Sequence, residues 1–342
     1  MKWAKASRCI FLTIACLSAC VTVAAQTPDA CRPVSPDVAR LVEIRSGYYY
    51  VDGGLAEFDP CHASVKLSMP SFWADKLADK PPLMIIAHGG GGPGPAELEM
   101  VRRLNARGVA TLLFDAYEMN GFRYKGTMLF VLGVTNESRQ RMIFKATLGA
   151  YEWARKLQTV DTTRMYINGL SNGGSVAINM AAVVDPHHVR MVFAEGATPT
   201  GIGMPDEIKV PLRLVYGRLD NYGGKTADDW MYSRTDPCHF NRPSPLAAPG
   251  TATRCNPLTN RGEMTIPIQA WGEGLASKGS PIVFWFYENA AHGLLAGPLK
   301  RDMRVYGTGS TAMTRYGWTG GSSDDANRFT KDLIEEIKTS YR

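Results

Sequence analysis

Gly169-Leu170-Ser171-Asn172-Gly173-Gly174 lies between a run that favours a strand and a run that favours a helix. Upstream, Arg164-Met165-Tyr166-Ile167-Asn168 alternates and is rich in strand-forming residues. Downstream, Ser175-Val176-Ala177-Ile178-Asn179-Met180-Ala181-Ala182 is small and apolar, as in a buried helix. A strand that turns sharply into a helix around G-x-S-x-G is the pattern of a nucleophile elbow. The serine there sits in a strained conformation, and glycines two positions to either side leave room for the turn. Ser171 is therefore a candidate nucleophile, with the Asn172 N–H at the helix start facing the same space.

A serine hydroxyl needs a base to take its proton and an acid to orient that base. Behind an elbow of this kind the chain order is serine, acid, histidine. Pro211-Leu212-Arg213-Leu214-Val215-Tyr216-Gly217 reads as a buried strand, and Asp220 follows it. Ile282-Val283-Phe284-Trp285-Phe286-Tyr287 reads as another, and His292 follows it. Both residues fall just past strand ends, where open parallel sheets bind ligands. The chain has six histidines, so the choice can be made by elimination. His62 comes too early in the chain, and His187 and His188 follow the elbow helix toward the opposite sheet edge. His239 lies in an irregular stretch, and His88 belongs to a different part of the site. His292 remains. Glu195, after the strand-like Val189 to Ala194, is the rival to Asp220 as the acid.

Pro82-Leu83-Met84-Ile85-Ile86-Ala87 is a third buried strand, running into His88-Gly89-Gly90-Gly91-Gly92. Glycines at this position let backbone N–H groups point inward, as an oxyanion hole requires. His88-Gly89-Gly90 matches the H-G-G pattern that supplies one of the two donors. Gly89 or Gly90 would pair with Asn172, and His88 itself is expected to be structural. A phosphate-cradling loop is excluded, because Pro93-Gly94-Pro95 follows where Gly-Lys-Ser/Thr would have to stand.

Strand-His88-Gly89-Gly90, elbow Ser171, Asp220 and His292 in this order resemble the α/β-hydrolase fold. The carboxyl-terminal half is most similar to the dienelactone hydrolase-like branch. That likeness rests on Val215-Tyr216-Gly217 leading to Asp220, and on a helix from Gln269 to Lys278 ending at Gly279. It rests also on Tyr287-Glu288-Asn289-Ala290-Ala291-His292-Gly293 before a terminal helix. Ser171-Asn172-Gly173-Gly174 further resembles the elbow of secreted feruloyl esterases and polyhydroxyalkanoate depolymerases. The namesake enzymes carry a cysteine nucleophile where this chain has Ser171, which argues against dienelactone itself as substrate. The resemblance implies cleavage of carboxylic esters or lactones through an acyl-enzyme on Ser171, with no cofactor and no metal.

Strand-like and helical runs alternate along the 342 residues, as a mainly parallel sheet with helices on both faces demands. Eight strands are predicted, near 47–52, 63–69, 83–88, 109–115, 164–169, 189–194, 211–217 and 281–287. Helices are predicted near 95–107, 137–157, 172–184, 267–278 and 323–339. With 45% hydrophobic residues and no repeat or linker, residues 26–342 read as one domain. A Pro-, Gly-, Asn- and Thr-rich insertion interrupts it near 221–265, a length that usually signals function. Trp230, Tyr232 and Phe240 within it either line a substrate pocket or pin the loop. Tyr117, Glu118, Phe122 and Arg123 follow the Asp115 strand end and are placed toward the site; Tyr117 is a candidate substrate contact, and Glu195, where it is not the acid, is a substrate contact or a polar support.

Residues 1–25 have the form of an export signal, with Lys2, Lys5 and Arg8 ahead of an apolar run from Ile10 to Val23. Two processing patterns compete. Leu17-Ser18-Ala19-Cys20 matches the bacterial lipoprotein box, which would leave a lipidated Cys20 on a membrane, and Val23-Ala24-Ala25 fits ordinary cleavage before Gln26. The first is favoured, and either route places the protein in the periplasm or beyond. Removing the leader lowers the net charge from +6 to about +3, too little to argue for nucleic acid. Of seven cysteines, Cys31, Cys61, Cys238 and Cys255 remain, and four allow three pairings. Nearest-neighbour bonds Cys31–Cys61 and Cys238–Cys255 are expected. They lack the C-x-x-C spacing of a metal site. A serine peptidase of the same fold, or a hydrolase fold degenerated into a binding module, are the alternatives. The second is disfavoured because every catalytic slot is filled.

Overall fold

The computed structural model describes residues 40–45, 48–52, 55–70, 80–122, 134, 136–197, 201–220, 268–306 and 313–340. The leader, Cys31, Arg123 and the insertion at 221–265 with Trp230, Tyr232, Cys238, His239, Phe240 and Cys255 lie outside them.

Among the described residues the central sheet has seven strands, where the sequence predicts eight. They are β3 (Lys66–Ser68), β4 (Leu83–Ala87), β5 (Ala110–Leu113), β6 (Met165–Leu170), β7 (Val189–Glu195), β8 (Leu212–Gly217) and β9 (Ile282–Tyr287). Their order across the sheet is β3-β5-β4-β6-β7-β8-β9. Every neighbouring pair is parallel except β3, which runs antiparallel to β5. The expected first strand does form, at Tyr48–Asp52 (β2), but it pairs with Arg40–Arg45 (β1) as a separate antiparallel ribbon. A second ribbon, Lys300–Tyr306 (β10) with Met313–Thr319 (β11), went unpredicted. Its first strand, Lys-Arg-Asp-Met-Arg-Val-Tyr, is dominated by charge, and Met303 and Val305 give it only a short apolar alternation.

Among the described residues, six helices accompany these strands: α1 (Pro95–Asn105), the single turn α2 (Ala116–Met119), α3 (Asn136–Ala154), α4 (Asn172–Val183), α5 (Ile268–Ala276) and α6 (Ser323–Thr339). The central strands are mainly apolar because both faces of the sheet are covered there, whereas the edge strand β9 is only partly buried. In β4, alternate residues go to opposite layers. Leu83, Ile85 and Ala87 join α3, α4 and α5, whereas Met84 and Ile86 join α1 and α6.

The elbow helix α4 can approach the sheet only because its first turn is glycine. A Cβ on Gly173 would lie 2.2 Å from the Ala87 carbonyl oxygen, and one on Gly174 2.6 Å from that of Glu195. On the other face α6 is amphipathic, with Phe329, Leu333 and Ile337 buried against Tyr166, Tyr287 and Phe193. Truncating Phe329 to alanine would cost about 3–5 kcal/mol by the cavity it leaves.

Candidate active site

Ser171 lies in the turn between β6 and α4, with φ 57° and ψ −117°. Among the described residues it is the one non-glycine with positive φ. Such a conformation costs on the order of 1–3 kcal/mol and persists only where the surroundings enforce it. Here the Ser171 N–H donates to the Glu195 carbonyl (2.8 Å), and its own carbonyl accepts from Ser175 N–H (3.0 Å). A Cβ on Gly169 would meet the Gly173 carbonyl oxygen at 2.0 Å, so no other residue closes the turn. The residues on either side are buried, but Ser171 is partly exposed.

Asp220 and His292 come together because the loops after β8 and β9 are joined by their backbones. Arg218 N–H donates to the Tyr287 carbonyl and Leu219 N–H to that of Ala290, both at 2.9 Å. Gly217 allows the approach, since a Cβ there would lie 2.3 Å from the Ala290 carbonyl oxygen. The outcome is a hydrogen bond of 2.9 Å between His292 Nδ1 and Asp220 Oδ2, with the Asp220 side chain almost wholly buried. Gly196, next to the Glu195 carbonyl that holds Ser171, packs against this pair. A Cβ there would lie 3.0 Å from His292 Nδ1 and 3.4 Å from Asp220 Oδ2. The end of β11 fixes the histidine backbone from the other side. His292 N–H donates to the Trp318 carbonyl (3.2 Å), and the His292 carbonyl accepts from Gly320 N–H (3.0 Å). This support was illegible in the sequence, because it depends on the unpredicted ribbon.

The glycine loop after β4 distinguishes Gly89 from Gly90. The Gly89 N–H is already engaged, donating to Glu97 Oε1 on α1 at 2.8 Å. Gly90 is buried, and among the described residues its N–H meets no acceptor. The Gly89 N–H is therefore spent on Glu97, and the Gly90 N–H is the one of the two still available. His88 is structural, as expected. Its Nε2 accepts from Ala116 N–H (3.0 Å), so Nδ1 carries the proton and donates to the Gly89 carbonyl (2.7 Å).

One expectation changes. Tyr117 is fully buried and packs edge-on to His88 at 4.8 Å between ring centres, supporting the glycine loop where a substrate contact was expected. Burial pushes its hydroxyl pKa up, against the Arg139 guanidinium and the Asn172 amide, which lower it. Glu195 is also buried, and its Oε1 accepts the Leu294 N–H at 2.6 Å. It therefore anchors the segment two residues beyond His292, the polar-support alternative of the sequence reading. Burial pushes its pKa up from 4.5 to about 7; the Leu294 bond and His292 oppose that, and Glu97 and Asp220 reinforce it. Glu118 is exposed, and Phe122 packs partly buried against the core. His62 bonds to Ser64, and His187 and His188 precede β7 at the opposite edge. Cys61 is disulfide-bonded, to a partner outside the described residues.

Six parallel strands around a strained serine elbow, with Asp220 after β8 and His292 after β9, decide the fold. The chain has the α/β-hydrolase fold. The model of the acetyl xylan esterase (AXE1) family matches residues 99–194, from α1 to the end of β7. No curated protein matches. Among solved structures, the chain is similar to dienelactone hydrolase from Anabaena variabilis at 18% identity, TM-score 0.41, covering 67% of this chain and 81% of that one. A dienelactone hydrolase-like promiscuous phosphotriesterase from metagenomic libraries is 14% identical, TM-score 0.45, over 80% and 98%. Est1E from Butyrivibrio proteoclasticus is 17% identical, TM-score 0.37, over 67% and 85%. The fold assignment rests on strand order and elbow, not on these likenesses. No helix among the described residues is long and apolar enough to cross a membrane.

Proposed function

We propose that this α/β hydrolase is a serine esterase acting on carboxylic esters, with Ser171 as nucleophile, His292 as base and Asp220 as its orienting acid. The observation that carries the reading is the Asp220–His292 hydrogen bond, packed on the glycine that adjoins the strained Ser171 turn. With Nδ1 committed to Asp220, Nε2 is the nitrogen left to accept the Ser171 proton as Oγ attacks the ester carbonyl. The Gly90 and Asn172 N–H groups receive the developing oxyanion. His292 then returns its proton to the departing alcohol, leaving an acyl group on Ser171. Water, deprotonated by the same nitrogen, releases the acid and restores the serine.

The AXE1 match makes acetyl esters of carbohydrates the first substrates to test. Export and membrane attachment through Cys20 belong to the same proposal, supported by the leader and by the cross-linked Cys61.

Labelling with a fluorophosphonate, followed by peptide mapping, is expected to mark Ser171. A p-nitrophenyl ester series is expected to show turnover greatest for short acyl chains. Ser171→Ala should abolish both, with a loss approaching about 10⁶ in kcat because triad members act as a unit. A Ser171→Ala protein that keeps more than a few per cent of turnover overturns the reading.

A further inference from the structure

We infer that Glu97 is a positioning residue, a buried carboxyl group that holds the glycine loop so that the Gly90 N–H faces Ser171. The inference rests on the esterase reading and names a residue the sequence did not single out. Glu97 stands on the first turn of α1 and is only 5% exposed. Its Oε2 accepts from Gly94 N–H at 3.0 Å, which caps the helix. Its Oε1 turns back and accepts from Gly89 N–H at 2.8 Å, a bond helix capping does not require.

Gly89 has no side chain to restrict its φ and ψ, so both peptide planes beside its Cα must be held from outside. Glu97 holds the preceding plane through the Gly89 N–H. The following plane is held through the Gly89 carbonyl, which accepts from His88 Nδ1 (2.7 Å) and Gly92 N–H (3.1 Å). In a planar trans peptide the Gly90 N–H points opposite to that carbonyl. Fixing both planes of Gly89 therefore fixes the direction of the Gly90 donor. The loop is tightly coupled to the nucleophile, because a Cβ on Gly89 would lie 3.6 Å from both Ser171 Cβ and Glu97 Oε1. Rotation at Gly89 shifts the donor relative to the oxyanion, and such donors act only when preorganised.

The test is a series of Glu97→Gln, Glu97→Asp and Glu97→Ala in the full-length protein. The readouts are kcat and KM for a p-nitrophenyl ester and affinity for an alkyl boronic acid, whose tetrahedral adduct occupies the oxyanion hole. Glu97→Ala is expected to lower kcat by about 10²-fold, the scale of one lost oxyanion donor, with KM changed less than about threefold. Glu97→Gln keeps one acceptor oxygen for Gly89 and is expected to recover most of that loss. Boronate affinity should fall in proportion to kcat across the series.

A residue that only caps α1 would lower melting temperature without this proportionality. Ser322→Ala, which removes a side-chain cap from α6, supplies that behaviour as a control. If the alanine variant does not fold, the proportionality is read from glutamine and aspartate alone. Variants whose boronate affinity stays at the wild-type value while kcat falls, or a Glu97→Ala enzyme within threefold of wild-type kcat, overturn the inference. Turnover retained by Ser171→Ala would overturn the esterase reading instead.

Discussion

Two helices of this protein begin at a serine, and the two serines are put to opposite uses. At α6, Ser322 has an ordinary extended backbone (φ −63°, ψ 153°), and its Oγ accepts the Asp325 N–H at 3.1 Å. Asp324 and Asp325 place negative charge on the first turn, where the helix dipole favours it. At α4, Ser171 has φ 57°, its side chain caps nothing, and the first turn is Asn172-Gly173-Gly174 without an acid. The α6 end is completed by its own residues. The α4 end has no side-chain cap, and in the proposed reaction it receives an anion that exists only transiently. The same residue type at the same helical position thus serves stability in one place and, on the proposed reading, chemistry in the other, where strain is the cost of leaving the serine available.

The largest test of this contrast lies across from the open helix end, at the pair that would generate the charge. Asp220→Asn is expected to lower kcat by about 10⁴, because the amide favours the wrong tautomer of His292. Glu195→Gln should cost far less, since the amide oxygen can still accept the Leu294 N–H. Steady-state kinetics on purified variants decide it. The reverse ranking would show that the wrong carboxyl group orients the histidine, and that the α4 end serves a different reaction.

Glu195 provides the next test, because it lies on β7 directly opposite Leu170, beside the open end of α4. Its pKa is raised from 4.5 to about 7, so the folded state favours the protonated form. The stabilisation is fully present below about pH 4.5 and is lost as pH rises through 7, a swing of about 3 kcal/mol for this buried group. Glu195→Gln removes the titration. The melting temperature of the variant relative to wild type should therefore climb between pH 5 and pH 8. A difference that stays constant with pH would mean that Glu195 is not desolvated, and that the α4 end is wetter than the packing shows.

Much of this was legible from sequence wherever a residue's role follows from local geometry. G-x-S-x-G specifies its turn because Gly169 and Gly173 allow backbone contacts that no Cβ permits. The strands announce themselves by mainly apolar runs, and Asp220 and His292 by falling just beyond two of them, although β9 proves only partly buried where its run reads as a buried strand. What stayed hidden was long-range. Gly89 and Gly90 look alike in the sequence, and only the turn of Glu97 back across eight positions distinguishes a donor in use from one left over. Tyr117 and Glu195 follow strand ends as substrate contacts would, yet both turn inward as supports. The ribbon that holds His292 has Thr314, Tyr316 and Trp318 on alternate positions of β11, but its partner β10 is mostly charged, and the segment at 48–52 is a good strand whose partner the pattern cannot choose.

The smallest effects test the contrast between the two serines most directly, because they should differ in sign. At Ser322, alanine removes one hydrogen bond from the first turn of α6 and leaves the Asp325 N–H without its side-chain acceptor. Caps of this kind contribute about 1 kcal/mol, so the Ser322→Ala melting temperature should fall by a few degrees with kcat unchanged. At Ser171, glycine removes a side chain from a backbone conformation that L-residues avoid, and no cap bond exists there to lose. Glycine also gives the unfolded chain more freedom, which offsets part of the gain. Relief of strain on the order of 1–3 kcal/mol exceeds that entropic cost of about 0.5–1 kcal/mol, so Ser171→Gly should melt higher than wild type while hydrolysing nothing. Calorimetry of both variants at one pH is sufficient. If Ser171→Gly melts lower, the positive φ is not a store of strain, and the two helix ends differ in chemistry without the exchange of stability for availability.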